Sequence, residues 1–460
     1  MTADQLAGLG RLFGERRVLT DDGALQRYGR DETEDLWFAP GAVVLAESVD
    51  EVAALVRFAA VERLPVTPRG AGTGLSGGAL PVHGGIVLSL ERMNRIRGLD
   101  PRNLTAEAEA GVVTAELQRQ AAELGLLYPP DPASRETCTL GGNLAEDAAG
   151  PRSCKYGTTR AWVLGLEAVL ADGSIVTTGG RNRKDATGYN LTQLLVGSEG
   201  TLAVITAATL RLTALPPASL TLLLPFPALD RAAAAVEAIF REGHDPAACE
   251  ILEAAALAAV ARVLPLPPAL VAQEALLLLE LLGDDHETLL GRAAALGELA
   301  ARLGAGEPLL AQDATDARRL WQIRRKVGEA VKTISPYKEA DTVVPRAALA
   351  ALVRAARAAA AGQGLRAVCY GHAGDGNLHV NLLRGDLDED EWRRRRDAAE
   401  DELFRAVVAL GGKVSGEHGV GWVQRRYLPL AVDAPSLELM RRIKHAFDPL
   451  GILNPGKIFP

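Results

Sequence analysis

The sequence of 460 residues is too long for one compact core, so it predicts two or three domains. Hydrophobic residues make up 48% of the chain, as in soluble globular proteins, and a formal net charge of −8 disfavours a general nucleic-acid-binding role. The four cysteines form no CxxC pair, which argues against a disulfide framework, a zinc ribbon or a cysteine-ligated iron–sulfur cluster. No secretory signal or membrane-spanning run is visible, so we expect a cytoplasmic protein without a transmembrane segment.

The first half of the chain alternates between strand-like and helix-like segments. Ser48 is predicted to cap a helix that runs to Ala60, because Glu51 follows it three residues later and gives the capping pattern. Apolar and β-branched runs predict strands at 43–46, 66–68, 86–90, 105–110, 164–170 and 201–212.

The composition changes at Pro216-Pro217, which predicts a domain boundary. Beyond it, helical segments rich in alanine and leucine alternate with short strands, a pattern that indicates an antiparallel sheet covered by helices. The predicted helices are 231–241, 285–303, 346–362 and 437–447, and the predicted strands are 219–224, 275–282, 366–370 and 378–383.

A glycine-rich loop at 70–78 follows the strand predicted at 66–68. Its backbone amides can turn towards an anion, and the missing Cβ atoms allow a diphosphate to approach closely. The loop does not read GxGxxG at the start of a helix, and it lacks Gly-Lys-Ser/Thr, so neither a Rossmann site nor a Walker A loop fits. A glycine-rich surface turn is the alternative. Two further loops of small residues, at 137–145 and 197–202, indicate one extended ligand with a diphosphate.

Two histidines flank a Gly/Asp/Asn turn in the segment 369–381, which is typical of a β-hairpin. Folding the hairpin brings His372 and His379 together at its mouth, and the pair Glu417-His418, bracketed by glycines, offers a further ligand. Two imidazoles and a third ligand suit a divalent transition metal. The alternative is a pair of histidines that only satisfy local hydrogen bonds.

These motifs together resemble the FAD-linked oxidases of the vanillyl-alcohol-oxidase type, in the branch of D-2-hydroxyacid dehydrogenases. The resemblance extends from about residue 40 to residue 459. The motifs that carry it are 68–74, 139–143, 197–201, 371–379, 417–421 and 454–457.

The resemblance implies an α+β protein, with a PCMH-type FAD-binding domain and an antiparallel-sheet cap domain that is covered by helices. The expected boundaries are 1–215 for the FAD-binding domain and 216–430 for the cap domain with the metal site. The remaining segment, 431–460, is expected to pack back on the FAD-binding domain.

The resemblance also implies which residues bind FAD. Members with covalent FAD have a histidine near the end of the first glycine loop, where this chain has Thr73, so non-covalent FAD is expected. Glu146 and Asp147 stand where relatives usually have small residues or asparagine, and they are not carried over. The residues expected to bind FAD are Arg69, Gly70, Ala71, Gly72, Thr73, Gly74, Ser76, Pro130, Asp131, Thr137, Thr139, Gly141, Gly142, Asn143, Glu199, Gly200, Thr201, Asn454 and Lys457.

The histidine-containing motifs match the family's metal site and general base. His372, His379 and Glu417 correspond to the metal ligands, for Zn or Mn, and His418 corresponds to the base. Oxidation of a 2-hydroxyacid needs such a set, because the hydroxyl must lose a proton while a hydride passes from Cα to flavin N5.

The substrate carboxylate needs a cation, and the segment 321–326 resembles the family segment that supplies it. Arg324 is chosen among the three adjacent cations Arg324, Arg325 and Lys326, and the alternative is an arginine on the surface of a helix. Arg324 is therefore expected in the catalytic site, with Lys338 and Asn381 as further polar contacts to the substrate. Gly328 stands where relatives that use dicarboxylates have a threonine, which leaves room for lactate, glycolate or a larger side chain.

The implied function is FAD-dependent oxidation of a D-2-hydroxyacid, of the lactate, glycolate or 2-hydroxyglutarate class, to the 2-oxoacid. Without an iron–sulfur motif, the electrons leave to a quinone, an electron-transfer flavoprotein, a cytochrome, a partner subunit or O₂. Two alternatives stay open: the FAD subunit of a glycolate oxidase complex, and a non-redox flavin-dependent alkyltransferase. A homodimer and a peripheral membrane contact are also left open.

Overall fold

The computed structural model describes all 460 residues, which form two compact units. Unit 1 contains Met1–Ala149, Thr158–Leu215 and Glu417–Pro460, and unit 2 contains Gly150–Gly157 and Pro216–Gly416. The chain leaves unit 1 for the short segment Gly150–Gly157, which had no signal in the sequence, leaves it again after Leu215 and returns at Glu417. The expected domain boundaries at 215 and 430 stay predictions.

The strands are short in unit 1 and longer in unit 2. In chain order they are β1 (Val18–Leu19), β2 (Ala42–Leu45), β3 (Val66–Arg69), β4 (Ile86–Ser89), β5 (Ile96–Asp100), β6 (Thr105–Glu109), β7 (Leu126–Leu127), β8 (Val163–Val169), β9 (Ile175–Gly179), β10 (Val204–Arg211), β11 (Thr213–Ala214), β12 (Ala218–Phe226), β13 (Ala248–Glu253), β14 (Ala275–Gly283), β15 (Leu309–Leu310), β16 (Tyr337–Val343), β17 (Arg366–Gly371) and β18 (Asn377–Leu383).

The helices include several single turns next to the loops described below. In chain order they are α1 (Ala3–Phe13), α2 (Asp22–Tyr28), α3 (Val49–Glu62), α4 (Thr114–Glu123), α5 (Leu140–Glu146), α6 (Ser153–Tyr156), α7 (Leu191–Leu195), α8 (Leu229–Arg241), α9 (Ala254–Val260), α10 (Pro268–Val271), α11 (His286–Arg302), α12 (Ala314–Arg325), α13 (Val327–Ile334), α14 (Leu349–Gly362), α15 (Glu389–Ala409), α16 (Leu428–Ala431) and α17 (Ala434–Phe447).

Unit 1 contains two main sheets. In the first, β3 and β2 lie parallel to β4, and β1 adds an antiparallel edge. The second is antiparallel, in the order β5-β6-β10-β8-β9. Helix α3 packs on the first sheet and begins as predicted, because the Ser48 hydroxyl accepts a hydrogen bond from the Glu51 backbone N–H. Its apolar stripe recurs at helical spacing and is fully buried.

The C-terminal stretch is part of the core of unit 1. Leu453 pairs with Val66 of β3, and the backbone N–H of Asn454 donates to the carbonyl of Val66 at 2.8 Å. The chain end therefore lies beside the strand from which the glycine-rich loop emerges.

Unit 2 is built on one antiparallel sheet, which is the kind of sheet that the sequence predicted. Its strands lie in the order β15-β12-β14-β13-β17-β18-β16. Strand β14 is buried on both faces because helices pack on both sides: α8 and α11 contact it, and the α9 and α13 side chains share a core with Leu276 and Leu278. This explains its unbroken leucine run, which shows no period-two alternation.

The hairpin predicted from the Gly/Asp/Asn turn is confirmed. Strands β17 and β18 pair so that Tyr370 lies opposite His379. Gly376 takes the left-handed conformation with φ of +78°, and a Cβ atom there would lie 1.9 Å from the carbonyl oxygen of Val344. The turn therefore needs glycine for both its backbone angle and its packing.

No helix in the structure combines the length and the apolar character that a membrane crossing requires.

Candidate active site

The glycine-rich loop that follows β3 lines a cavity in unit 1. A Cβ atom at Gly70 would lie 2.2 Å from Oγ1 of Thr139. Gly72 has a φ of +76°, and a Cβ atom there would lie 2.0 Å from Nη2 of Arg69. A side chain at either position would displace Thr139 or Arg69, the backbone angle of Gly72 favours glycine, and the loop backbone itself forms this wall of the cavity.

Most of the residues predicted to bind FAD line this cavity. They are Arg69, Gly70, Ala71, Gly72, Thr73, Gly74, Thr139, Gly141, Gly142, Asn143, Glu199, Gly200 and Asn454. Thr137 lines a second pocket that shares Arg69, Gly70, Ala71 and Thr139 with the cavity. Ser76, Pro130, Asp131, Thr201 and Lys457 line neither space.

Two of the residues outside the lining have local structural contacts instead. Asp131 forms an ion pair with Arg135 at 2.5 Å, and the hydroxyl of Thr201 donates to the carbonyl of Ser198 at 2.7 Å. These side chains stabilise the loops that carry the lining residues.

Glu199 connects the cavity to the segment that follows Glu417-His418. Its carboxylate accepts hydrogen bonds from the backbone N–H groups of Val420 at 2.8 Å and Gly421 at 2.7 Å. Its own backbone has a φ of +52°, which is unusual for a residue other than glycine. Burial raises the pKa of Glu199 to about 7, although the two amides favour its ionised form.

Glu146 is a second carboxylate in the cavity lining, although it was not among the residues expected to bind FAD. A Cβ atom at Gly78 would lie 2.4 Å from its Oε1, and one at Gly419 would lie 2.1 Å from its Oε2. Burial, followed by repulsion from Glu199, raises the pKa of Glu146 well above the usual value for a glutamate. The two glycines leave the space that this side chain occupies.

Asn454 and Lys457, the two residues of the motif 454–457 that were expected to bind FAD, make different contacts. Asn454 lines the cavity, and its Nδ2 donates to the carbonyls of Gly78 at 2.9 Å and Glu199 at 2.8 Å. Lys457 does not line the cavity: its Nζ donates to the carbonyl of Leu80 at 2.6 Å and to Oδ1 of Asn454 at 3.0 Å. Burial lowers the pKa of Lys457 to about 8.

Glu417 and His418 line the same cavity as the glycine loop. Oε1 of Glu417 lies 3.8 Å from Nε2 of His418. The preceding residue, Gly416, belongs to unit 2, where its N–H donates to Oδ2 of Asp341 at 2.7 Å. The buried carboxylate of Asp341 therefore holds the backbone directly before Glu417. Gly416 belongs to unit 2, and Glu417 and His418 belong to unit 1.

The two hairpin histidines face each other in unit 2. The rings of His372 and His379 have centroids 5.4 Å apart and planes at 85°, and ring nitrogens of the two come within 4.8 Å. Both side chains are buried. Nδ1 of His379 lies 3.7 Å from Oε1 of Glu339, so a carboxylate also borders the pair.

A buried carboxylate that the sequence analysis missed joins His372 to Arg324. Oε1 of Glu250 lies 2.7 Å from Nδ1 of His372, and Oε2 accepts from Nε of Arg324 at 2.6 Å. The Arg324 guanidinium also lies over the Tyr370 ring, 4.9 Å from its centroid. Burial opposes ionisation of Glu250, but attraction to His372 and Arg324 outweighs it, and the pKa of Glu250 is lowered. Its only sequence signal is one charged residue inside the apolar strand β13.

Lys338 is not brought to this group, in contrast to Asn381. Paired residues of an antiparallel sheet share a face, and neighbours along a strand alternate. Glu339 pairs with Asn381, whereas Lys338 pairs with Leu382, so Lys338 lies on the face opposite His379 and Asn381. Glu339 occupies the position that the sequence analysis had given to Lys338, one residue away.

Comparison with known families decides the relationship of this chain. Residues 215–458 match the family described as FAD linked oxidases, C-terminal domain, and residues 40–179 match the family described as FAD binding domain.

The chain belongs to the FAD-linked oxidases.

Three curated relatives of this FAD-linked oxidase cover almost its whole length. The glycolate oxidase subunit GlcD of Bacillus subtilis is 38% identical over 94% of this chain and 92% of that protein. A D-lactate dehydrogenase of Archaeoglobus fulgidus is 39% identical over 94% and 95%. A D-2-hydroxyglutarate dehydrogenase of Xanthomonas citri is 35% identical over 100% and 98%.

Solved structures confirm the fold of this FAD-linked oxidase. p-Cresol methylhydroxylase superposes with a TM-score of 0.83 at 20% identity, over 99% of this chain and 96% of that one. Alkyldihydroxyacetonephosphate synthase superposes with a TM-score of 0.77 at 21% identity, over 99% and 86%. The predicted fold class, an α+β protein with a PCMH-type FAD-binding domain, is confirmed.

The cavity of unit 1 fits FAD, and the chain is an FAD-binding oxidoreductase. Gly70 and Gly72 expose loop backbone at its wall, where a diphosphate can be bound through amides. Oγ1 of Thr139 is buried in the lining without a hydrogen-bond partner in the protein. A polar ligand in the cavity would satisfy that atom.

Proposed function

We propose that this FAD-linked oxidase oxidises a D-2-hydroxyacid to the 2-oxoacid. The observation that carries the proposal is that His418 lines the same cavity as the glycine loop, so a base and the FAD-binding residues share one space. The three relatives named above act on glycolate, D-lactate and D-2-hydroxyglutarate according to their names, and all of these are 2-hydroxyacids. Non-covalent FAD, as Thr73 suggests, supplies the acceptor for the hydride that leaves Cα.

In this proposal His418 removes the proton of the substrate hydroxyl. An imidazole has the right acidity for this task near neutral pH, and it must be neutral to accept a proton. The backbone after His418 is held by Glu199 through Val420 and Gly421. This restraint supports an orientation of His418 that is set before the substrate binds.

We propose that His372, His379 and Glu417 hold a divalent metal, Zn or Mn, that supplies a Lewis acid for the hydroxyl. The donor set fits: two buried imidazoles lie next to each other, and Nδ1 of His372 contacts Glu250, so Nε2 is the ring nitrogen proposed to bind the metal. Glu417 is peptide-bonded to Gly416, which Asp341 anchors in the unit of the two histidines. On β18, His379 lies directly opposite Asp341.

Arg324 is proposed to bind the substrate carboxylate. Its Nε is used by Glu250, and its terminal nitrogens form no hydrogen bond within the protein. A guanidinium oriented in this way can bind a carboxylate through those nitrogens. Asn381, which is fully buried on the same sheet as the two histidines, is proposed as a second polar contact.

We propose that the preferred substrate has one carboxylate. The carboxylate of Glu339 borders His379, and a second carboxylate of 2-hydroxyglutarate near it would be repelled. Gly328 offers no side-chain donor nearby: a Cβ atom there would meet only the Tyr370 hydroxyl, at 3.8 Å. Lactate, glycolate or a hydroxyacid with a larger uncharged side chain fits these features better.

The test is an anaerobic titration of the purified protein followed by flavin absorbance. D-Lactate, glycolate, D-2-hydroxyglutarate and the L-isomers are compared before and after treatment with a chelator. The proposal predicts bleaching by a D-monocarboxylate, and loss of bleaching after chelation that Zn or Mn restores. FAD that no hydroxyacid reduces would refute the proposed reaction, and bleaching that survives complete metal removal would refute the metal.

A second candidate is the FAD subunit of a glycolate oxidase complex, which the 38% identity to GlcD supports. The two candidates differ in where the electrons go: to a quinone, an electron-transfer flavoprotein or a cytochrome, or to a partner subunit. Turnover of the isolated chain with an artificial dye distinguishes them. A chain with full FAD and metal that fails to reduce the dye would favour the subunit. We also propose that the protein is cytoplasmic, either as a monomer or as a homodimer.

A further inference from the structure

Glu250 lies in β13 with no exposed surface, although it is charged. The register explains its position: Ile251 pairs with Gly371 across β13 and β17, so the next residues, Glu250 and His372, come side by side. Helix α12 brings Arg324 to the other carboxylate oxygen. One buried carboxylate therefore contacts two residues to which the proposed function gives different tasks.

The hydrogen bonds of this group have only one consistent assignment. A guanidinium is always a donor, so Oε2 of Glu250 accepts from Arg324, and the ion pair keeps the carboxylate ionised. Oε1 of an ionised carboxylate can also only accept, so Nδ1 of His372, 2.7 Å away, must carry the proton. In the neutral ring, Nε2 is then the nitrogen without a proton.

We infer that Glu250 is a positioning residue that sets the Nδ1–H tautomer of His372 and at the same time orients Arg324. The inference rests on the proposed function for its consequences, since Nε2 of His372 is the proposed metal-binding atom and Arg324 the proposed carboxylate anchor. Glu250 thereby couples the proposed metal ligand His372 to the proposed carboxylate anchor Arg324, because both depend on the oxygen atoms of this one side chain.

The substitution Glu250→Gln tests this coupling because glutamine has one acceptor and one donor in the same shape. If its oxygen faces Arg324, its amide group faces Nδ1 of His372 and favours the Nε2–H tautomer, which blocks the metal-binding atom. If its oxygen faces His372, its amide group opposes Nε of Arg324. Either arrangement damages one function, so glutamine cannot replace the carboxylate.

The direct readout is the tautomer of His372 in FAD-loaded, metal-free protein. Long-range ¹⁵N–¹H correlation spectra of histidine-labelled protein show which ring nitrogen is protonated, and His372→Asn identifies the signal. We expect Nδ1–H in the wild type, and Nε2–H or a mixture in Glu250→Gln. Pure Nδ1–H in both proteins, with unchanged KM for the hydroxyacid, would overturn the inference.

The second readout is metal affinity, measured by competition with a chromophoric zinc chelator. Loss of such an outer partner typically weakens metal binding about 10–100-fold, and we expect this range for Glu250→Gln. The double variant Glu250→Gln/Arg324→Met should bind zinc more tightly than Glu250→Gln alone, because the glutamine oxygen is then released to accept from His372. Zinc binding at least as weak in the double variant would contradict the sharing of one carboxylate.

Glu253→Gln is the matched control on the same strand. Glu253 is equally buried, and its carboxylate accepts from Arg357 and from the backbone N–H groups of Cys369 and Ala255, away from the histidine pair. Its substitution should cost stability without changing the His372 tautomer or zinc affinity. If Glu250→Gln does not fold, Glu250→Asp, which keeps both acceptors on a shorter arm, should keep the tautomer and raise the KM for the hydroxyacid.

The two hypotheses fail in distinguishable ways. If the wild type binds neither Zn nor Mn, the proposed metal fails, whereas the tautomer measurement still decides the role of Glu250. If the wild type binds metal and oxidises a hydroxyacid while Glu250→Gln matches it in tautomer, zinc affinity and KM, only the role of Glu250 fails.

Discussion

The two units present ligand-binding groups in opposite ways. In unit 1, Gly70 and Gly72 remove side chains so that loop backbone forms the cavity wall. In unit 2, side chains from the antiparallel sheet, the hairpin turn and helix α12 meet, with Glu250 of β13 between His372 and Arg324. The first kind of site is sensitive to added volume, and the second is sensitive to the loss of a charge or an acceptor.

In unit 1, Glu199 accepts hydrogen bonds from the backbone of Val420 and Gly421, which follow the Glu417-His418 pair. The largest expected effect comes from His418→Asn. Loss of a general base typically costs a factor of about 10²–10⁴ in rate. We expect a loss of this size in flavin reduction by the hydroxyacid, measured by anaerobic stopped flow, with unchanged FAD content. His445→Asn, at an exposed helix position, is the control, and a rate within about threefold of the wild type for His418→Asn would rule out its role as the base.

Because loop backbone forms a wall of the cavity in unit 1, we expect added side-chain volume in this loop to weaken FAD binding strongly. Gly70→Ala would place a methyl group 2.2 Å from Oγ1 of Thr139, whereas a Cβ atom at Gly74 meets nothing within 4 Å. Overpacking costs about 1–3 kcal/mol, so we expect Gly70→Ala to bind FAD about 10–100-fold more weakly, measured by titration of the apoprotein. Gly74→Ala should bind FAD as the wild type does. Equal losses in both variants would show that the ligand, not the protein, sets the need for glycine.

In unit 2, where side chains form the site, we expect a substitution to change the specificity for the hydroxyacid rather than the binding of FAD. Glu339→Gln removes the negative charge beside His379. We expect the ratio of kcat/KM for D-2-hydroxyglutarate to that for D-lactate to rise about tenfold, since one charge contact is worth about 1 kcal/mol or more. Glu329→Gln, which changes a carboxylate paired with Lys326 at the surface, should leave the ratio unchanged. An unchanged ratio in Glu339→Gln would place the substrate side chain away from this carboxylate.

The smallest effect concerns stability and pH at Glu199. Its pKa is raised from 4.5 to about 7, so the stability it contributes is full below pH 4.5 and is lost as the pH rises through 7. Relative to Glu199→Gln, the wild type should lose about 1–3 kcal/mol between pH 5 and 8, or a few degrees in Tm. Calorimetry of both proteins across this range checks the sign.

Glu109→Gln provides the opposite case for the same measurement. Burial opposes ionisation of Glu109, but hydrogen bonds from Arg95 prevail and its pKa is lowered. Its contribution is therefore lost only as the pH falls below its usual titration range, and no trend is expected between pH 5 and 8. If the stability of the wild type falls with rising pH by the same amount relative to Glu199→Gln and relative to Glu109→Gln, Glu199 is not the cause of the fall.

Local features of the fold followed from the sequence, because nearby residues decide them. The cap at Ser48 and the hairpin around Gly376 were predicted, and both depend on contacts within a few residues. The assignment of Lys338 failed by one position, since only the pairing of β16 with β18 decides which residue of the strand faces His379. Motif comparison has no access to that register.

The sequence by itself determined the family, the glycine-rich loops and the pair of histidines, because these require particular residue types at short spacing. Only the tertiary structure showed that Glu250 joins His372 to Arg324 and that Glu146 lies in the cavity lining. Glu250 lies more than seventy residues from Arg324 and more than a hundred from His372, at separations of 74 and 122. Contacts over such distances come from strand order and helix packing, which no local pattern of residues encodes.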